Sequence, residues 1–192
     1  MATEAEAFPS EAYVSFSAEI NPSTGESLIA TMANLANQGV QQVTLAISTP
    51  GGGVPKGLTI YNTLRAMPFE LITHNVGNVD SIGNAIFLAG DKRYACPHST
   101  FMFHGVAAHP GDGSMLDRRG LEERSEAVRA DEKRIGSIIK ERTTLSDGEV
   151  EVLFEHAQTK DAAYAAGAGI VHEIKDITFT PGIPIISLVF ER

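Results

Sequence analysis

The sequence predicts a single α/β domain, residues 1–192, built on a layered and mostly parallel sheet. Three observations predict it. Strand-like apolar runs at 43–47, 70–76 and 101–103 alternate with helical patterns. Each run gives way to a turn rich in Gly, Asn or Pro before the next element begins. No internal repeat and no linker interrupts the series. Strands that alternate with helices pack as a parallel sheet covered by those helices. A chain of 192 residues is long enough for one sizeable core.

The elements follow in order. Residues 1–12 are acidic and small and read as a flexible N-terminus. Residues 13–20 alternate apolar and polar, the pattern of a half-buried strand. Asn21, Pro22, Ser23 and Thr24 form a turn and cap signal. Leu28, Met32, Leu35 and Ala36 then share one helical face, and Gly39 is a C-terminal stop. The strand from Val43 comes next. Pro55 suits the first turn of a helix that carries Leu58, Tyr61 and Leu64 inward. After the strand at 70–76, Gly77 to Asn84 reads as a strand-to-helix turn, and 85–89 as a buried helix. Residues 101–103 form a strand ending at His104, and the Gly-, Ala- and Pro-rich stretch 104–114 is a loop.

A long charged helix is predicted over 116–142. Leu121, Val128 and Ile135 repeat at seven along it, with Ile138 and Ile139 beside them. The plain reading is a surface helix with one narrow apolar seam, but a helix this polar buries little alone, which favours packing on a partner. A further helix starts at residues 145–149 and runs through Phe154. Asp161 is the cap of a helix at 162–168. Residues 183–190 are apolar and read as a C-terminal strand, too exposed a risk to leave unpaired. It is expected to join a sheet or a neighbouring subunit.

Three places on this scaffold carry chemistry. Ser81 stands where a strand turns into a helix, so backbone N–H groups are free and the helix dipole favours negative charge. Thr49-Pro50-Gly51-Gly52-Gly53 closes the preceding strand, and its glycines let a backbone approach closely. His104 ends the apolar run Phe101-Met102-Phe103. Singly, each has a plainer reading: an N-cap, a turn, and a histidine satisfied by its surroundings. Their order along the chain gives them their meaning.

Together these segments resemble the Clp protease proteolytic subunit family, within the crotonase-like superfamily. That family carries N-S-P-G-G at a strand end, then G-x-A-A-S-M-G leading into a buried helix that ends in A-G. A short strand R-F-x-L-P and a strand ending M-I-H follow. The matching text is Ile47-Ser48-Thr49-Pro50-Gly51-Gly52, Gly77-Asn78-Val79-Asp80-Ser81-Ile82-Gly83, Ala89-Gly90, Arg93-Tyr94-Ala95-Cys96-Pro97 and Met102-Phe103-His104. The resemblance spans about residues 12–175 and is strongest from 43 to 104.

The resemblance implies a ClpP-like layered spiral of ββα units with a protruding handle helix at 116–142. It implies a serine endopeptidase in which Ser81 is the nucleophile and His104 its base. The backbone N–H groups of Gly52 and Ile82 would form the oxyanion hole, and Gly53 and Val54 would bind an extended substrate as an added strand. It also implies a homo-oligomeric ring, a heptamer or two stacked heptamers, that hydrolyses peptides or unfolded proteins fed by an AAA+ unfoldase. The chain has no G-x-x-x-x-G-K-[ST] loop with which to power unfolding itself.

Some positions depart from the family's pattern. Asp80 stands where a small residue precedes the nucleophile. Gly105-Val106 replaces Gln-Pro after His104, and Ala157 falls where the third catalytic residue, an Asp, is expected. Gln158 and Glu155 are the polar neighbours that could stand in for it. The N-terminus lacks the family's long axial-pore loop. Two other readings follow: an inactive or structural ring subunit of the same fold, and an acyl-CoA enzyme of the wider superfamily, which would need the glycine loop but no Ser–His pair.

Composition excludes other classes. The net charge of −9, without a basic cluster, argues against nucleic acid. No run has the length of a membrane span, and residues 1–12 lack the basic and apolar regions of a secretory signal. One cysteine, Cys96, allows no internal disulfide and fits a reducing cytoplasm. The six histidines are scattered without metal-site spacing. No metal and no cofactor is expected.

Overall fold

The computed structural model describes residues 9–107 and 117–190. Its elements are β1 (Glu11–Ser17), α1 (Pro22–Asn37), β2 (Gln42–Thr49), α2 (Val54–Arg65), β3 (Glu70–Asp80) and α3 (Gly83–Phe87). Then come β4 (Lys92–Ala95), β5 (Thr100–Phe103), α4 (Arg118–Arg142) and α5 (Asp147–Glu155). The chain closes with β6 (Gln158–Asp161), α6 (Ala162–Gly167), β7 (Glu173–Ile174) and β8 (Ile185–Leu188). One sheet holds them in the order β6-β5-β3-β2-β1-β8, with β4 and β7 branching off β3. Every pairing is parallel except that of β5 with β6.

The branch arises in β3. One edge of β3 follows β2, while the other carries β4 along 72–75 and β5 along 78–80. The stretch between them is polar, and the sequence alone suggested that the strand stops at Val76. Side chains keep it extended instead. Buried Asn75 donates from Nδ2 to Thr100 O (2.8 Å) and accepts the N–H of Gly77 at Oδ1 (3.0 Å). Asn78 accepts from Ser48 Oγ (3.0 Å) and donates to Thr49 O (3.1 Å). With its polar groups satisfied, the strand runs on to Asp80 and the sheet splits into successive layers.

Helix ends follow their caps. Asn21 accepts from Thr24 N–H while Thr24 Oγ1 returns to the Asn21 N–H, a complete capping box. Gly39 has φ 79°, the left-handed stop. Asp161 accepts from Tyr164 N–H (2.7 Å) and caps α6. Leu28, Met32, Leu35, Leu58 and Leu64 fill one face of the sheet with Phe16, Leu45 and Ile47.

Three expectations need correction. The ordered sheet begins at Glu11, and Ala12 is buried, so the N-terminal segment is shorter than residues 1–12. β6 was not anticipated: Gln158–Asp161 is polar, yet it pairs antiparallel with β5. Leu121 of the long helix is 56% exposed, and burial on α4 is confined to Ile135, Ile138 and Ile139 near its end. The helix spans Arg118–Arg142; Leu116 and most of the preceding loop lie outside the described residues. The C-terminal strand finds its partner within the chain, since β8 lies parallel to β1 and Phe190 packs edge-on against Phe16.

Candidate active site

Parallel sheets place their binding crevices at the carboxyl ends of the strands. Here the ends of β1, β2, β3 and β5 converge on one cavity of about 470 Å³, lined among others by Glu19, Gly52, Ser81 and His104. Ile82, Gly53 and Val54 line it too, so all six residues singled out from the sequence meet there. The register explains the meeting. Asp80 pairs with Met102, so Ser81 and His104 emerge from the ends of neighbouring strands.

Ser81 sits on a sharp turn with φ 56°, a left-handed conformation rare for a side chain other than Gly, Asn or Asp. The turn is pinned on both sides. Ser81 N–H donates to Met102 O (2.8 Å), and Ser81 O accepts from the N–H of Asn84 (3.1 Å) and from its Nδ2 (3.1 Å). Asn84 Nδ2 also donates to Met102 O (2.8 Å), which ties the turn to β5. The plainer reading of Ser81 as an N-cap does not hold. α3 begins after Ile82 without a side-chain cap, and the Ser81 hydroxyl has no hydrogen-bond partner among the described residues.

The glycine loop is shaped by its approach to Ile20. Ile20 N–H donates to Gly51 O (2.7 Å) and Gly53 N–H donates to Ile20 O (2.8 Å). The Gly52 N–H between them has no acceptor among the described residues. Gly52 has φ 142°, and a Cβ there would stand 2.2 Å from Ile20 O. Gly51, at φ 87°, abuts the turn, where a Cβ would meet Ser81 Cβ at 2.7 Å. Only glycine fits either place. The Ile82 N–H is likewise without an acceptor among the described residues, so two donors flank the Ser81 side of the cavity.

Gly53 and Val54 line the cavity but do not offer the open strand edge expected of them. The Gly53 N–H is taken by Ile20, and its carbonyl accepts the N–H of Gly57 (3.0 Å) as α2 begins. An added strand has no free bonding edge at Gly53.

His104 Nδ1 lies 2.6 Å from the carbonyl oxygen of Gly105. A carbonyl only accepts, so Nδ1 carries the proton and Nε2 of the neutral ring is left as the acceptor. Ala157 is the next position in register after the Phe103–Gln158 pair, beside His104. It has φ 46° and no polar side chain. Gln158 belongs to β6, and exposed Glu155 lines a different cavity, between α4 and α5. Neither stands among the residues around Ser81.

Arg93, quoted above only as part of a short motif, has a structural role that its motif did not disclose. Its guanidinium is buried and donates to the carbonyls of Ile170 (2.8 Å), Arg142 (2.9 Å), Gly169 (3.1 Å) and Gly90 (3.2 Å). Burial, and then the neighbouring Arg142 and Arg65, push it down to about 10.

The fold and crevice define a class: α/β proteins with a layered parallel sheet whose chemistry-bearing residues gather at strand C-terminal ends. The Clp protease family model matches residues 2–178, and the chain belongs to that family. The ATP-dependent Clp protease proteolytic subunit 1 of Corynebacterium jeikeium is 36% identical over 78 residues, 40% of this chain and 42% of that protein. The corresponding subunit 2 of Mycolicibacterium paratuberculosis is 32% identical over 98 residues, 50% of this chain and 49% of that protein. The matched segments thus span less than half the length of these curated relatives. Among solved structures, a mutant of ClpP1 from Listeria monocytogenes has a TM-score of 0.77 at 24% identity, over 86% of this chain and 91% of that one. That likeness concerns the fold. Among the described residues no helix is long and apolar enough to cross a membrane.

Proposed function

We propose that this chain is a serine endopeptidase, the proteolytic subunit of an ATP-dependent Clp-type protease. The observation that carries the reading is the gathering of Ser81, His104 and two N–H groups without an acceptor among the described residues around one cavity. Ser81 Oγ attacks the peptide carbonyl carbon as its proton passes to His104 Nε2, forming the Oγ–C bond. The N–H groups of Gly52 and Ile82 receive the oxyanion, a contribution whose loss costs on the order of 3 kcal/mol per donor. The imidazolium then gives its proton to the leaving amine, and water releases the acyl group from Ser81. Gly53 and Val54 contact the substrate from the cavity wall.

The chain works as a homo-oligomeric ring of heptameric order, with an AAA+ unfoldase supplying unfolded protein in the cytoplasm. The polar helix α4, with burial confined to its end, supports a partner-bound handle. Light scattering at micromolar concentration tests the ring; a monomer would refute it. A fluorophosphonate probe tests the chemistry. It should label the parent at Ser81 and leave a folded Ser81→Ala chain unlabelled. Equal labelling of both would remove the assignment.

A second reading has one observation in its favour. Ala157 puts no carboxylate beside His104, as in a ring subunit that keeps the fold without the activity. Absence of labelling in a well-folded parent would support it.

A further inference from the structure

We infer that Glu132, on the handle helix α4, is the positioning residue for the His104 base and takes the place of the carboxylate absent at Ala157. The inference rests on the reading of Ser81 and His104 as nucleophile and base.

The connection runs through one peptide group. His104 Nδ1–H donates to the Gly105 carbonyl oxygen (2.6 Å). The N–H on the other side of that same peptide plane belongs to Val106, and it donates to Glu132 Oε1 (3.1 Å). A carboxylate that accepts from an amide N–H draws that proton's charge toward itself and enriches the carbonyl oxygen of the same amide. Hydrogen bonds in such a chain strengthen one another. Glu132 therefore acts on the imidazole in two ways. It fixes the peptide that holds the ring in the Nδ1–H form, and it places negative charge one peptide group from the imidazolium that forms when Ser81 is deprotonated. A carboxylate bonded directly to Nδ1–H performs these two tasks in the usual triad.

Position 105 is shaped for this contact. A Cβ on Gly105 would stand 2.8 Å from Glu132 Oε1, so a side chain there would push the carboxylate away. The peptide group before it is held as well, since Gly105 N–H donates to Phe154 O of α5 (3.0 Å). Glu132 itself lines the neighbouring cavity between α4 and α5, with Lys133, Lys140, Glu151 and Glu155, while two other acids face the Ser81 cavity. Asp131 of α4 is paired with Arg134 (2.9 Å), and Glu19 follows β1 on the opposite wall. Among the described residues, neither is bonded to the 104–106 segment.

The test compares the parent with Glu132→Gln, Glu132→Asp and Glu132→Ala, and with Glu155→Gln as a control carboxylate outside the relay. Ring ¹⁵N shifts of His104 report the tautomer without any need for turnover. The parent should show a protonated Nδ1 and a bare Nε2. Glu132→Ala should show a tautomer mixture, and the Val106 amide proton should move upfield. On a fluorogenic peptide, Glu132→Gln should lower kcat about tenfold with KM unchanged, because charge-assisted bonds are about twice as strong as neutral ones. Glu132→Asp should recover part of the loss, and Glu155→Gln should match the parent. A tautomer and amide shift unchanged in Glu132→Ala would overturn the relay, whether or not the parent cleaves peptides. A parent that neither cleaves nor labels, but shows the tautomer change, would overturn the protease reading and leave the relay standing. Equal loss in Glu132→Gln and Glu155→Gln would reduce Glu132 to one of several general charges and overturn its special role.

Discussion

On the Ser81 side of the crevice, Ile82, Ala85, Ile86 and Phe87 are buried, and the turn is clamped to β5 by Met102 O and to itself by Asn84. On the His104 side, the ring is held by its neighbour's carbonyl, that peptide by one carboxylate of α4, and the peptide before it by one carbonyl of α5. The first wall is backbone set in an apolar core. The second is a half-exposed loop secured by polar contacts to a charged helix. Packed cores tolerate little change, whereas polar contacts at a surface break and re-form at small cost. Ser81 and the Gly52 and Ile82 amides are thus fixed by the fold, and His104 is fixed by contacts that a shift of α4 would undo.

The largest test of this contrast is Gly52→Ala. Its Cβ would fall 2.2 Å from Ile20 O at a φ of 142° that alanine does not adopt. Soluble protein should be lost, or, where it survives, probe labelling should fall by about 100-fold or more. A melt and labelling rate equal to the parent's would mean that the Ser81 wall is more pliant than described. Next is Arg93→Met. Arg93 joins β4 to the end of α4 and the 169–170 loop, and its loss takes the donor from the carbonyls of Ile170, Arg142 and Gly169, while Gly90 O keeps its bond to Arg142. Urea unfolding should show about 3 kcal/mol of destabilisation. A change under about 0.5 kcal/mol would show that water replaces the guanidinium and that the two regions are not tied there.

Ala157→Asp acts on the softer wall. It sets a carboxylate beside His104 at a left-handed position that Asp tolerates better than Ala. Peptidase kcat should rise about tenfold, less than the ~10⁴ that a triad carboxylate is worth over its amide, because in the proposed relay the Gly105 carbonyl already holds the ring. No change would mean that residue 157 does not reach the base.

The smallest effect is on pH. Burial, opposed by the bond to Lys175 O (3.0 Å), holds the His74 imidazole below its ordinary value; burial and then Arg93 and Arg142 do the same for His172. The unfolded chain therefore binds more protons than the folded one just below about pH 6.5. The stability contributed by these neutral rings is complete above that pH and declines as pH falls through the folded values. Melting temperature should drop between pH 7.5 and 5.5, and His74→Gln should flatten part of the drop. A parallel profile in the variant would assign the slope to other groups.

Much of the Ser81 wall, and of helix α1, was legible in the sequence because the causes are local. Glycines 51–53, the cap at Asn21, the stop at Gly39 and the apolar run after Ser81 each announce their own geometry. The continuation of β3 to Asp80 was not legible, since Asn75 and Asn78 look like turn residues until their partners Thr100, Ser48 and Thr49 are known. β6 was missed for a similar reason. Gln158, Thr159 and Lys160 carry no strand pattern of their own and pair because β5 presents an edge. The connection from Glu132 to His104 spans 28 residues and a backbone peptide, and no spacing rule encodes it. The seven-residue seam on α4 was visible, but Leu121 finds no cover among the described residues.

The left-handed turn at Ser81 has a bearing on the economy of the whole molecule. A serine at φ 56° is held there against its own preference, at a cost on the order of 1 kcal/mol. Glycine would sit in the same turn without that cost. A Ser81→Gly chain should therefore outlast the parent in denaturant while doing no chemistry. Durability and the proposed reactivity are opposed at this residue: the hardiest version of the fold is one that has given up its serine.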